Sequence, residues 1–151
     1  MASRAHRPAL LLASAGVLLL LICAAGVVAG LLFAERLFGL LPPVTIDAAA
    51  VGGATVALGI ATGLLGVIHL ALAVALRQGV HVAAVPSIVL CAAMAVLALA
   101  WAVAALVSAA SGSAPAVAML AAGIGLALVA AAYAWAGGVL IGLRGRSDAG
   151  S

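Results

Sequence analysis

The chain has 151 residues, of which 69% are hydrophobic and 6% are charged, and its formal net charge is +3. About 25% of the residues of an ordinary soluble domain are charged, so this composition excludes a water-soluble globular fold. The apolar runs exceed about 20 residues and are apolar on every side, which predicts membrane-spanning helices rather than the alternating strands of a barrel. We therefore predict an all-α integral membrane protein.

The first predicted helix covers about residues 9–33 and follows a short basic start with Arg4, His6 and Arg7. A secretory signal also has a basic start, but its apolar core spans only about 7–15 residues. The run in this chain is longer than that, so we expect a helix that is retained in the protein. Residues 34–48 come next, and their consecutive prolines, 42 and 43, exclude a continuous helix.

Three further helices are predicted along the chain, at about residues 48–76, 82–109 and 115–143. A tight turn at 77–81 and a loop at 111–115 would join them, and a polar, frayed tail would occupy 144–151. The predicted fold is a four-transmembrane-helix bundle with short loops and a short interfacial segment between helices 1 and 2. We expect residues 1–151 to form a single membrane domain.

The arginines predict the orientation of the chain in the membrane. Four spans put both termini on one side, and that side holds five of the six basic residues: Arg4, Arg7, Arg77, Arg144 and Arg146. Only Arg36 lies on the other side, so the positive-inside rule places both termini in the cytoplasm of a multi-pass cell membrane protein. Because these charges lie at span ends rather than clustered on one face, we expect no nucleic acid as a partner. The expected partners are the lipid bilayer and either other membrane protein subunits or further copies of this chain.

The second helix has one face of small residues. At about 100° per residue, four glycines project within about 60° of one another, and polar residues lie beside them at heptad spacing. The glycines are Gly52, Gly59, Gly63 and Gly66, and the polar residues are Thr55, Thr62 and His69. Such a face predicts close packing against another helix, either of this chain or of a neighbouring subunit.

The other helices have weaker seams of small residues. The first has a Gly26–Gly30 pair with Gly16 on the same stripe, and the fourth has a seam at Gly123, Ala127, Ala130, Ala134 and Gly137. Similar seams arise by chance in a chain rich in alanine, so these predict less than the glycines of the second helix do.

His69 is the most unusual residue of the predicted spans, because it lies about 10 Å inside the membrane boundary. One interpretation is a neutral imidazole hydrogen-bonded to a neighbouring span, with Tyr133 as the first candidate partner and Ser87 as the second. The other interpretation makes His69 and Tyr133, which share this depth, candidate cofactor-binding residues for haem or quinone. A haem held by two histidines would need a partner chain, since His6 and His81 lie at or outside the membrane surface.

Catalytic and metal-binding patterns are nearly absent from the sequence. No acid lies inside a predicted span, and no phosphate-binding loop, dinucleotide motif or metal-ligand spacing occurs. We therefore expect no enzyme activity, no metal and no resident cofactor. The predicted function is a non-catalytic accessory or scaffolding subunit of a larger membrane complex, or a self-associating helix bundle. The alternatives are a small transporter or channel, and a lipid-, quinone- or haem-binding protein centred on His69.

Overall fold

The computed structural model describes residues 2–33, 48–79, 81–112 and 116–148. Four long helices and one 3₁₀ turn account for most of them: α1 Ala2–Leu32, α2 Ala48–Arg77, the 3₁₀ turn His81–Ala83, α3 Ala84–Ala110 and α4 Ala116–Asp148. Each of the four helices contains a span long and apolar enough to cross a membrane, and no described residue is in a strand. The predicted fold class, an all-α four-helix membrane protein, is confirmed.

Two helices are longer than predicted. Helix α1 begins at Ala2 rather than at about residue 9, because alanine and arginine, which make up four of residues 2–7, favour helix, and Pro8 removes only one backbone hydrogen bond. Helix α4 continues to Asp148, so residues 144–148 of the predicted frayed tail are helical. Basic residues near a helix C-terminus interact favourably with the helix dipole, which supports this extension. The predicted interfacial segment lies outside the described residues, apart from Ala48, where α2 begins.

Two glycines end helices by adopting a left-handed conformation. Gly79 has φ +75° and donates its N–H to the carbonyl oxygen of Leu76 at 3.2 Å, in the turn predicted after Arg77. Gly112, with φ +67°, bonds to Ala109 in the same way at 3.4 Å. A side chain with a Cβ is strained in this conformation, so glycine is the residue best suited to both positions.

The chain divides into two compact units. One, the α1–α2 unit, contains residues 10–74, and the other, the α3–α4 unit, contains residues 1–9 and 75–151. In the α3–α4 unit the buried residues recur at steps of three, four and seven: Ser87, Cys91, Ala98 and Ala102 on α3, and Ala130, Tyr133, Ala136 and Leu140 on α4. Whether the two units act as the single predicted domain stays a prediction.

Most residues of each membrane span are not buried within the protein. In the most apolar stretch of α2, 28% of the residues are buried, and the share is lower in the other three helices. Large aliphatic side chains such as Leu64 and Val96 are 63% and 69% exposed. Water would not tolerate so continuous an apolar surface, whereas lipid tails are as apolar as leucine. The environment of these helices is therefore the lipid bilayer.

Candidate functional site

The best-defined feature of the α1–α2 unit is the contact between its two helices at the glycine face of α2, which consists of Gly52, Gly59, Gly63 and Gly66. All four glycines are buried. A Cβ added to Gly59 would lie 3.2 Å from the carbonyl oxygen of Cys23 and 3.2 Å from the backbone N of Val27. A Cβ at Gly66 would lie 2.9 Å from the carbonyl oxygen of Gly16. These atoms belong to the α1 backbone, so the backbones of the two helices approach each other closely at Gly59 and Gly66.

Helix α1 presents glycines of its own to this contact. A Cβ at Gly26 would lie 3.4 Å from the Cα atom of Gly59, and a Cβ at Gly30 would lie 2.7 Å from the carbonyl oxygen of Gly52. Together with Gly16 and Gly66, these residues form three pairs of glycines that face each other across the contact. The pairing order shows that α1 and α2 run in opposite directions. The sequence left open whether the glycine face meets this chain or another subunit, and the structure places it against α1.

The side chain of Cys23 on α1 packs against Gly63, the remaining glycine of the α2 face. A Cβ added to Gly63 would lie 2.6 Å from the Cys23 sulfur and 3.1 Å from its Cβ atom. Cys23 is a half-buried free thiol, so its side chain fills the gap that the missing side chain of Gly63 leaves. No role for Cys23 at this contact was predicted from the sequence. The missed signal is its heptad spacing between Gly16 and Gly30, which puts all three on one stripe of α1.

The polar residues beside the glycine face bond to their own helix. Thr55 and Thr62 donate their hydroxyl hydrogens at 2.8 Å to the carbonyl oxygens of Val51 and Leu58, each four residues earlier. The Nδ1 atom of His69 makes the equivalent 2.8 Å contact with the carbonyl oxygen of Leu65. Such bonds to the preceding turn satisfy a polar donor within its own helix. The hydroxyls of the two threonines and the Nδ1 atom of His69 therefore need no acceptor on a second helix.

His69 is completely buried, with 0% of its surface exposed. A carbonyl oxygen only accepts hydrogen bonds, so in the contact with Leu65 the Nδ1 atom of the ring is the donor. This bond lies within α2, and the predicted hydrogen bond from His69 to a neighbouring span stays a prediction. Whether His69 binds haem, quinone or another ligand stays a prediction.

Tyr133, the second candidate cofactor-binding residue, lies in the α3–α4 unit and is 4% exposed. In the same unit Ser87 is 0% exposed and donates its hydroxyl to the carbonyl oxygen of Ala83 at 2.7 Å. A Cβ added to Gly137 would lie 3.5 Å from the Cβ atom of Cys91, which is ordinary van der Waals contact. The small residues thus let α3 and α4 pack closely around these buried polar groups, and a ligand-binding role for Tyr133 stays a prediction.

Across the described ranges, no three histidine, cysteine, aspartate or glutamate side chains come together in a way that would hold a metal ion. In comparisons with protein-family models, curated proteins and solved structures, the chain matches none.

Proposed function

We propose that the protein is a non-catalytic helical membrane subunit, which either supports a larger membrane complex as an accessory or scaffolding piece or associates with copies of itself. The proposal is supported by how the described polar side chains are used. The hydroxyls of Thr55, Thr62 and Ser87 all donate to carbonyl oxygens of their own helices. A water-filled path or a reaction centre needs polar groups that face a cavity, whereas these groups bond to the backbone.

The observation that carries the proposal is an exposed small face on α4. Gly138 and Gly142 are both exposed, and a Cβ added to either would meet nothing within 4 Å. The exposed Ala131 and Ala134 project within about 40° of Gly138 on the helical wheel. Small residues at this four-residue spacing let a second membrane helix approach closely, and the dispersion contacts so formed are what drives helix association in lipid.

Association through this face is tested by Gly138→Leu. The matched control is Gly125→Leu, because Gly125 is also exposed with nothing within 4 Å but projects about 140° away around the same helix. The measurement is the molar mass of the full chain, extracted from its native membrane in polymer-bounded lipid particles. We expect the natural chain and the control to be part of a larger assembly, and Gly138→Leu to be released as a monomer.

Two results would contradict the proposal. A natural chain that is monomeric in its native membrane has no subunit to support and does not associate with itself. Equal molar masses for Gly138→Leu and Gly125→Leu, both within an assembly, would exclude the α4 small face as its contact.

We also propose that both termini lie in the cytoplasm of a multi-pass cell membrane protein. Support comes from the five-to-one distribution of arginines between the two sides of the predicted spans. Positively charged loops are retained on the cytoplasmic side during insertion, so the side with Arg36 alone is the one that crosses the membrane.

A further inference from the structure

The charges of this chain are divided unequally between the two ends of its helices. The starts of α1 and α3 and the ends of α2 and α4 carry five arginines and one acid, Asp148, whereas residues 34–48 carry one arginine and two acids, Glu35 and Asp47. The net charge is +4 at the first end and −1 at the second, which together give the net charge of +3 for the chain. We call the first of these the arginine end.

Three residues of the arginine end belong to the same compact unit. Arg7, Arg77 and Arg144 all lie in the α3–α4 unit, and the side chains of all three are exposed. The membrane spans of α2 and α4 end at Arg77 and Arg144, and the span of α1 begins at His6, beside Arg7. These guanidinium groups therefore lie at the depth where the hydrocarbon core meets the lipid head groups.

The guanidinium groups of the arginine end are suited to binding phosphate. A guanidinium group presents a planar fork of N–H donors that fits the oxygens of a phosphate, and the charge-assisted bonds are stronger than neutral ones. The Debye length is about 8 Å at physiological ionic strength, so each arginine at the membrane surface attracts an anionic head group over roughly that distance.

We propose that the arginine end binds the phosphate groups of acidic phospholipids, which carry a net negative charge, in preference to zwitterionic lipids. Anionic head groups are attracted to basic residues beside a span, and the end with Glu35 and Asp47 has no comparable attraction. This binding does not depend on which side of the membrane is cytoplasmic or on the subunit role proposed above.

The test uses the purified full chain in detergent with equal amounts of phosphatidylglycerol and phosphatidylcholine. Native mass spectrometry measures how many molecules of each lipid stay bound to the natural chain, Arg7→Gln, Arg77→Gln and Arg36→Gln. We expect the natural chain to prefer phosphatidylglycerol, and each substitution at the arginine end to lower that preference about five-fold. Arg36→Gln, the matched control at the other end, should leave it unchanged.

Two further arms separate charge from geometry and lipid from free phosphate. Arg77→Lys keeps the charge but loses the two-pronged fit, so its preference should lie between those of the natural chain and Arg77→Gln. Equal binding of the two lipids by the natural chain, or equal losses in Arg36→Gln and Arg77→Gln, would overturn the proposal. Displacement of phosphatidylglycerol by an equal concentration of inorganic phosphate would also overturn it, since the site would then recognise phosphate without the lipid.

Discussion

Gly66→Ala is the substitution for which the structure gives the clearest expected cost. The added Cβ would lie 2.9 Å from the carbonyl oxygen of Gly16, and ordinary van der Waals contact begins at 3.4 Å, so the two backbones must move apart by about 3.4 − 2.9 = 0.5 Å. Two further contacts at 3.2 Å, with Leu19 and Leu20, prevent the methyl group from moving sideways instead. The collision is with backbone rather than with a rotatable side chain, so it cannot be relieved by a rotamer change.

The magnitude follows from the packing of the interface. When two packed surfaces move apart by about 0.5–1 Å, each pair of contacting atoms loses a quarter to a half of its dispersion energy. Adding one methyl group to a well-packed site costs about 1–3 kcal/mol in total. In lipid both helices remain helical when they separate, so the higher helix propensity of alanine offsets little of this cost. We expect the separation of α1 from α2 to become about 5- to 150-fold more favourable.

Cys23 provides the assay, because its thiol packs on Gly63 and is exposed when the two helices separate. In a Cys91→Ala background, brief thiol labelling across a titration from mild detergent into dodecyl sulfate reports this separation. Gly53→Ala is the matched control, since Gly53 is exposed and a Cβ there would meet nothing within 4 Å. Labelling of Gly66→Ala should begin at a lower dodecyl sulfate fraction than labelling of the control. Coincident curves for the two variants would refute the packing argument.

Three further predictions concern other positions. Gly63→Leu should separate the helices more readily than Leu64→Phe in the same titration, because Leu64 is 63% exposed and a larger side chain there meets lipid; equal effects would contradict the assignment of the two faces. His69→Gln should keep most of the stability, because the side-chain amide can donate a hydrogen bond to Leu65 in place of the ring. His69→Leu cannot, and should lower the free energy of unfolding by about 1–3 kcal/mol. Loss of a bound cofactor in His69→Gln at unchanged stability would instead establish a ligand-binding role. In chains without native cysteines, Arg36→Cys should react with an impermeant thiol reagent outside intact cells and Arg146→Cys should not, and the reverse pattern would invert the proposed orientation.

The fold could be predicted from the sequence because composition and run length decide it. Helix α2 was predicted at 48–76 and found at Ala48–Arg77, since its start follows two prolines and its end precedes Gly79. The early start of α1 and the late end of α4 were missed, because hydropathy locates the part of a helix inside the membrane and not where its backbone hydrogen bonds stop. Polar residues continue both helices beyond the apolar runs.

The candidate site was harder to predict, because a seam of small residues indicates that packing occurs without indicating the partner. The fourth helix shows this limit: Gly123 and Ala130 of the predicted seam are buried, whereas Ala127 and Ala134 are exposed. In a helix rich in alanine, several faces have equally small residues, and only the position of the neighbouring helix distinguishes them. The bond from His69 to Leu65 was missed for a related reason, since back-bonding within a helix leaves no trace in residue spacing.

The glycine face of α2 packs against α1 of the same chain. Gly63→Cys tests it directly, because its Cβ would lie 3.1 Å from that of Cys23, within a few tenths of an ångström of the separation of about 3.5–4.5 Å in a disulfide. Leu64→Cys, on the exposed face, is the matched control.

The experiment oxidises both variants in the membrane, in a Cys91→Ala background, and then denatures and digests them with trypsin. Trypsin cuts after Arg36, so a disulfide between residues 23 and 63 joins peptide 5–36 to peptide 37–77 until a reducing agent is added. We expect this joined species from Gly63→Cys chains that run as monomers before digestion, and we expect none from Leu64→Cys. A Gly63→Cys chain that forms only disulfide-linked dimers, or no disulfide at all, would contradict this packing.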